Sequence, residues 1–93
     1  MTNDELLIER YIVPDPHKAG PIEARLRDSG YSVWAVIGGL IGTDGDVERT
    51  ALEYGLPAEE MAAALAYFRA NRELIEARLT VSKGHVVRVP VSV

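Results

Sequence analysis

Thr50-Ala51-Leu52-Glu53-Tyr54-Gly55-Leu56-Pro57-Ala58-Glu59-Glu60-Met61 holds a helix end, a turn and a helix start within twelve residues. Gly55 accepts the left-handed backbone that closes a helix, and Pro57 suits a first helical position. Glu59 and Glu60 fill the next turn, where carboxylates complement the helix dipole. Upstream, Asp44, Asp46 and Glu48 give an acidic start to a helix running from about Asp46 to Tyr54. Downstream, Met61, Ala64, Leu65, Phe68, Ile75 and Leu79 continue one apolar stripe, with no Pro or Gly between Ala58 and Ser82. A helix over 57–79 would be about 34 Å long. A domain this small cannot cover that length, so the helix either breaks near Asn71 or packs its far half on a second chain.

Further back, Val33, Val36, Ile37, Leu40 and Ile41 recur at helical spacing, with Ser32 as N-cap and Gly42 at C′. Gly38-Gly39 inside this helix cost roughly 1 kcal/mol each relative to Ala, which suggests close approach by another backbone. Leu6–Val13 is rich in β-branched and aromatic residues and stops at Pro14-Asp15-Pro16, the pattern of a strand ending in a turn. For 22–32 two forms are open, a short helix after Pro21 or a hairpin around Asp28-Ser29-Gly30; extended structure is preferred. At the end, Val87, Val89, Val91 and Val93 alternate with Arg88, Pro90 and Ser92, an edge strand because Pro90 cannot donate.

The expected fold is therefore mainly α in one domain, 1–93. A β-containing N-terminal arm (6–33) leads into a trihelical, helix-turn-helix core (33–80) and an extended tail (81–93). Ala51, Gly55 and Met61 have the spacing that tight helix-turn-helix packing needs. The third helix, however, would present Pro57, Ala58, Glu59, Ala62 and Ala63 to DNA. None of these donates a hydrogen bond to a base edge, and the glutamates repel phosphate.

Composition narrows the function. The 93 residues include no cysteine, so disulfides and thiol chemistry are excluded. No apolar run approaches the ~20 residues of a membrane span, and the acidic N-terminus differs from a secretory signal, so a cytoplasmic location is expected. The formal net charge of −4 opposes generic nucleic-acid binding. That charge is uneven: the acids lie on 1–80, while 81–93 carries Lys83 and Arg88 and no acid. His17 reads as a solvated turn residue, Asp44 and Asp46 as helix-start residues, and Tyr54, Tyr67 and Phe68 as core. His17 and His85 lie too far apart in sequence to suggest a metal site. No phosphate-cradling loop and no nucleophile–base pair is present, so neither enzyme activity nor a cofactor is expected.

Three blocks resemble the bacterial domain-of-unknown-function family 433. They are Tyr11-Ile12-Val13-Pro14-Asp15-Pro16, Ser32-Val33-Trp34-Ala35-Val36-Ile37-Gly38, and Leu52–Glu60 followed by Ala63-Ala64-Leu65-Ala66-Tyr67-Phe68. The chain departs from the family in having Asp28-Ser29-Gly30 where a Gly-Thr-Arg hairpin is usual, and Leu56 where Thr often caps the third helix. The resemblance covers roughly residues 10–80. It implies a homeodomain-like, homodimeric domain acting as a VapB-type antitoxin beside a PIN-like nuclease toxin.

Two functions follow as expectations. In the first, a dimer neutralises the nuclease: Arg88 approaches its acidic site, while Val87, Val89 and Val91 supply burial by strand addition. The tail could instead pair with 6–13 of the same chain or of a second copy. In the second, the protein is a DNA-binding regulator of its own operon, with Arg25, Arg27, Arg69 and Arg72 as the contact candidates.

Overall fold

The computed structural model describes residues 1–89. The described residues form five α-helices and a two-stranded antiparallel sheet, in the order α1 (Asn3–Tyr11), β1 (Ile12–Val13), a 3-10 turn (Pro21–Glu23), β2 (Arg25–Leu26), α2 (Val33–Gly42), α3 (Val47–Tyr54), α4 (Ala58–Ala70) and α5 (Arg72–Lys83).

The N-terminal segment is the first correction. Residues 3–11 are helical, and the strand expected over Leu6–Val13 is reduced to Ile12–Val13. A capping box decides this. Thr2 Oγ1 accepts from the Glu5 amide at 3.1 Å, and Glu5 Oε1 accepts from the Thr2 amide at 3.0 Å. Two orphan donors are thereby satisfied at the helix start, which outweighs the weak β preference of Ile8 and Tyr11. β1 then pairs with β2 in the register Ile12↔Leu26, Val13↔Arg25. Over 22–32 both forms open in the sequence occur in part, a 3-10 turn at Pro21 and extended backbone bridging Arg25 to Ser32 across the Asp28-Ser29-Gly30 turn.

The central helices follow their sequence signals closely. Ser32 precedes α2 in extended backbone, Asp46 Oδ1 caps α3 by accepting from the Arg49 amide at 3.0 Å, and Gly55 (φ 66°) closes α3 in the left-handed region. α2 runs one residue further than expected: Gly42 is its last residue, and the reversal is made by Thr43, Asp44 (φ 58°) and Gly45. Pro57 caps α4 rather than opening it.

The long helix does break at Asn71, whose backbone (φ −134°, ψ 34°) leaves the helical region and whose Nδ2 donates to the Tyr67 carbonyl at 3.0 Å. α5 then folds back, putting Ile75 and Leu79 into the same core as Val33, Val36, Ile37, Leu40, Met61 and Phe68. The glycine pair in α2 faces this interior as well. A Cβ on Gly39 would lie 2.6 Å from Tyr54 Oη, and one on Gly38 would lie 3.2 Å from Leu79 Cδ2. The close approach is by side chains of the same chain, not by another backbone.

The tail is a further correction. Among the described residues 84–89 there is no strand, and no pairing with 6–13, which is mostly helix. Val87 and Val89 are instead buried in the chain's own core. The long helix, the glycine face and the tail each suggest a second chain in the sequence; in the fold the helix, the glycine face and the described tail residues Val87 and Val89 pack within this one.

Candidate functional site

α4 is the helix that the sequence suggests for recognition, and α1 packs along it. The two run antiparallel and are tied at both ends. At one end Tyr11 Oη donates to Glu59 Oε2; at the other Arg69 donates twice to Asp4, Nη2 to Oδ1 at 2.7 Å and Nε to Oδ2 at 2.8 Å. Between these clasps α4 is small-sided, with Ala63, Ala64 and Ala66 buried. The Arg69 hydrogen bond, with its charge, holds the Asp4 carboxyl below its ordinary 3.8, and Asp4 in turn raises Arg69. The Glu59 carboxylate raises the Tyr11 phenol.

The other three arginines considered for DNA are also paired with acids. Arg25 Nη2 donates to Asp15 Oδ2 at 2.5 Å. The His17 amide (2.7 Å) and Lys18 amide (3.0 Å) hold Asp15 Oδ1, and these bonds, led by that from His17, lower the Asp15 carboxyl. Arg27 meets the neighbouring Asp28 at 3.3 Å, and Arg72 meets Glu76 at 3.7 Å while lying 4.8 Å from the Phe68 ring centroid. The four candidates thus lie on β2, the following turn, α4 and α5, Arg69 and Arg72 bordering one cleft at the α4–α5 junction, and each is paired with a carboxylate.

Arg88 is placed differently. Two side chains of α5 fix the backbone on either side of it: Thr80 Oγ1 accepts from the Val87 amide at 2.9 Å, and Glu76 Oε2 accepts from the Val89 amide at 3.0 Å. Each captures an amide donor that no strand partner satisfies. With Val87 and Val89 turned inward, Arg88 is turned outward by the alternation of extended backbone. Its Nη1 donates to the Val87 carbonyl at 3.1 Å, and no carboxylate pairs with it among the described residues. Val91 lies outside the described residues.

Arg88 borders an open groove of about 700 Å³ between α5 and the tail, whose walls carry Arg72, Glu73 and Glu76 beside Ala77, Thr80, Val81 and Val86. Val81 is 78% exposed and Val86 70%. The stripe through Ile75 and Leu79 does not reach either of them. Leu74, Ala77 and Val81 form a second stripe on the same helix at i, i+3 and i+7, visible on a helical wheel of 72–83.

His17 and His85 are exposed. Among the described residues no group of three or more His, Cys, Asp or Glu is placed to hold a metal ion, and no helix is long and apolar enough to cross a membrane. No family model, curated protein or solved structure matches the chain, so the resemblance to family 433 rests on the three sequence blocks quoted for it.

Proposed function

We propose that the chain is an antitoxin-like binding module that neutralises a PIN-like nuclease in the cytoplasm. The observation that carries this reading is the outward Arg88, held between two buried valines and without a carboxylate of its own among the described residues. Nucleases of that kind gather carboxylates around Mg²⁺. A guanidinium, which pairs with carboxylates in a fixed fork, can occupy such a cluster and block access to it. Because Val87 and Val89 are committed to the core, the apolar contact falls to Val81 and Val86 instead. A homodimer is no longer required by the features that suggested it.

The α2–α3–α4 arrangement belongs to the same proposal as a helix-turn-helix-like core, with Gly55 as its turn. That turn also favours a second reading, a DNA-binding regulator. Against it stand the acidic first turn of α4, the α1 cover, and the acids paired with Arg25, Arg27, Arg69 and Arg72.

The test begins with the gene next door. Where it encodes a PIN-like nuclease, the two proteins are co-purified and RNA cleavage is measured with the parent and with Arg88→Glu. Inhibition lost in the variant, with exchange protection of the Val87 and Val89 amides unchanged, supports the reading. A neighbour of another kind, or equal inhibition by Arg88→Glu, refutes it.

A further inference from the structure

We propose that α1 is a releasable strap: it opens from α4 as a unit while β1 to α5 stay folded, and only the open form presents the α4 flank between Glu59 and Arg69. The proposal is independent of Arg88 and of any nuclease.

The two clasps define the flank. Glu59 and Arg69 both bind α1, and at 3.6 residues per turn Ala62 and Ala66 lie between them on the same side of α4. Ala66 is 1% exposed yet stands outside the core that holds Ala63, Ala64 and Phe68. Its cover is α1. Ala64 lies on the opposite side of the helix, within that core.

Little holds α1 down. None of its residues is fully buried, and its apolar contact with the core comes from the half-buried Leu7 and Tyr11. The core from Leu26 to Val89 is complete without it. The Asp4–Arg69 pair stays open to water, with 40% and 35% of the two side chains exposed, so solvent and salt weaken it. The capping box lies within α1 and ties it to nothing else. Nine residues are too few for a stable helix in water, so α1 is ordered by α4 and unravels once it leaves.

The strand that follows sets the hinge. The Arg27 amide donates to the Tyr11 carbonyl at 2.8 Å, and Ile12 pairs with Leu26, so the chain is pinned where α1 ends. An element with few buried apolar contacts and exposed clasps opens at a lower free energy than the whole fold. Opening releases the Arg69 guanidinium from Asp4 and uncovers Ala62 and Ala66 together. Any macromolecule that docks on this side of α4 competes with α1 for it.

The chain has no cysteine, so one introduced thiol reports its own accessibility. Ala66→Cys places it beneath α1, and Ala64→Cys places it in the core on the far side of the same helix. Both full-length proteins are labelled with an aromatic disulfide reagent at neutral pH. Ala66→Cys is expected to react about tenfold or more faster than Ala64→Cys, with a weaker dependence on mild urea, because strap opening exposes little surface. Adding Arg69→Met should speed labelling at 66 several-fold. Adding Gly42→Ala, which steadies α2, should slow labelling at 64 and leave 66 unchanged. Amide exchange of the parent chain guards against a cysteine that itself lifts α1: residues 5–10 should exchange while the amides of α2 and α4 stay protected.

Equal labelling at 64 and 66, or α1 amides that exchange only together with those of α2, would overturn the proposal, because α1 then leaves only when the whole fold does. Fast labelling at 66 that Arg69→Met leaves unchanged would equally overturn it, since no clasped strap then covers the site.

Discussion

Gly39→Ala sets two well-calibrated effects against each other, and the packing fixes which wins. Replacing a mid-helix Gly by Ala favours the helix by about 1 kcal/mol. Here the new Cβ would lie 2.6 Å from Tyr54 Oη and 2.8 Å from Tyr54 Cζ, so the ring must move. That ring is doubly held: its hydroxyl donates to the Ala35 carbonyl at 3.1 Å, and its edge meets Tyr31 at a centroid distance of 5.0 Å. Displacing it forfeits a hydrogen bond of about 1 kcal/mol and an aromatic pair of about 0.5–1.5 kcal/mol, and adds overpacking strain of about 1–3 kcal/mol. The net expectation is destabilisation by about 1.5–4.5 kcal/mol, or roughly 6–36 °C in Tm for a domain of this size. Gly42→Ala is the control with the opposite sign, because a Cβ there meets nothing within 4 Å; it is expected to stabilise by a few tenths of a kcal/mol. Gly38→Ala, which meets the flexible end of Leu79, should fall between. Urea unfolding followed by circular dichroism measures all three. Adding Tyr54→Leu to Gly39→Ala should recover stability relative to Tyr54→Leu alone. A Gly39→Ala protein as stable as the parent, or a cycle with no coupling between 39 and 54, would show the ring contact to be wrongly placed.

Thr2→Ala removes one half of the capping box and is expected to cost α1 about 1 kcal/mol, read as faster amide exchange across residues 5–11; unchanged protection would rule the box out. Asp4, Glu5 and Asp15 all have carboxyls held below their ordinary values of 3.8, 4.5 and 3.8. A depressed carboxyl stabilises the fold above its unfolded pKa, and that contribution is lost as pH falls through the lower folded value. Stability is therefore expected to decline from about pH 4 downward, and Arg69→Met should return the Asp4 titration, followed by carboxyl NMR, towards 3.8. Glu76→Ala leaves the buried Val89 amide without its acceptor and is expected to cost about 1–3 kcal/mol and to deprotect the Val87 and Val89 amides. Glu76→Gln keeps a carbonyl acceptor and should retain most of that protection; equal behaviour of the two variants would place the tail's anchor elsewhere.

The parts legible in the sequence are those set by short-range rules. The ends of α3 and the start of α4 were marked by Asp46, Gly55 and Pro57, each acting on backbone within a turn of itself. The capping box at Thr2 and Glu5 is equally local, and was hidden only because the acidic start was read for charge rather than for spacing. The tail is another matter. Its alternation correctly separates Val87 and Val89 from Arg88, yet the acceptors that bind it lie seven and thirteen residues back, on Thr80 and Glu76. A period-two pattern identifies two faces but not what lies against either of them. The same holds at Asn71: without Gly or Pro, whether α4 and α5 were one helix depended on whether the far half had a core to return to.

The clasps of α1 change what the charges on α4 mean. Glu59 first reads as a complement to the helix dipole, and Arg69 as a candidate for phosphate. In the fold each binds α1, Glu59 through Tyr11 and Arg69 through Asp4. Freeing the clasped flank of α4 would break a two-point ion pair and uncover the alanine face beneath α1, leaving Glu59 to meet the phosphates. Past Asn71 the chain carries Arg72, Arg78, Lys83 and Arg88, of which Arg72 meets Glu76 and Arg78 lies over the Trp34 ring. A DNA-binding reading therefore needs both an uncovered α4 and a way to offset the carboxylates of its first turn, Glu59 and Glu60, which repel a phosphate backbone.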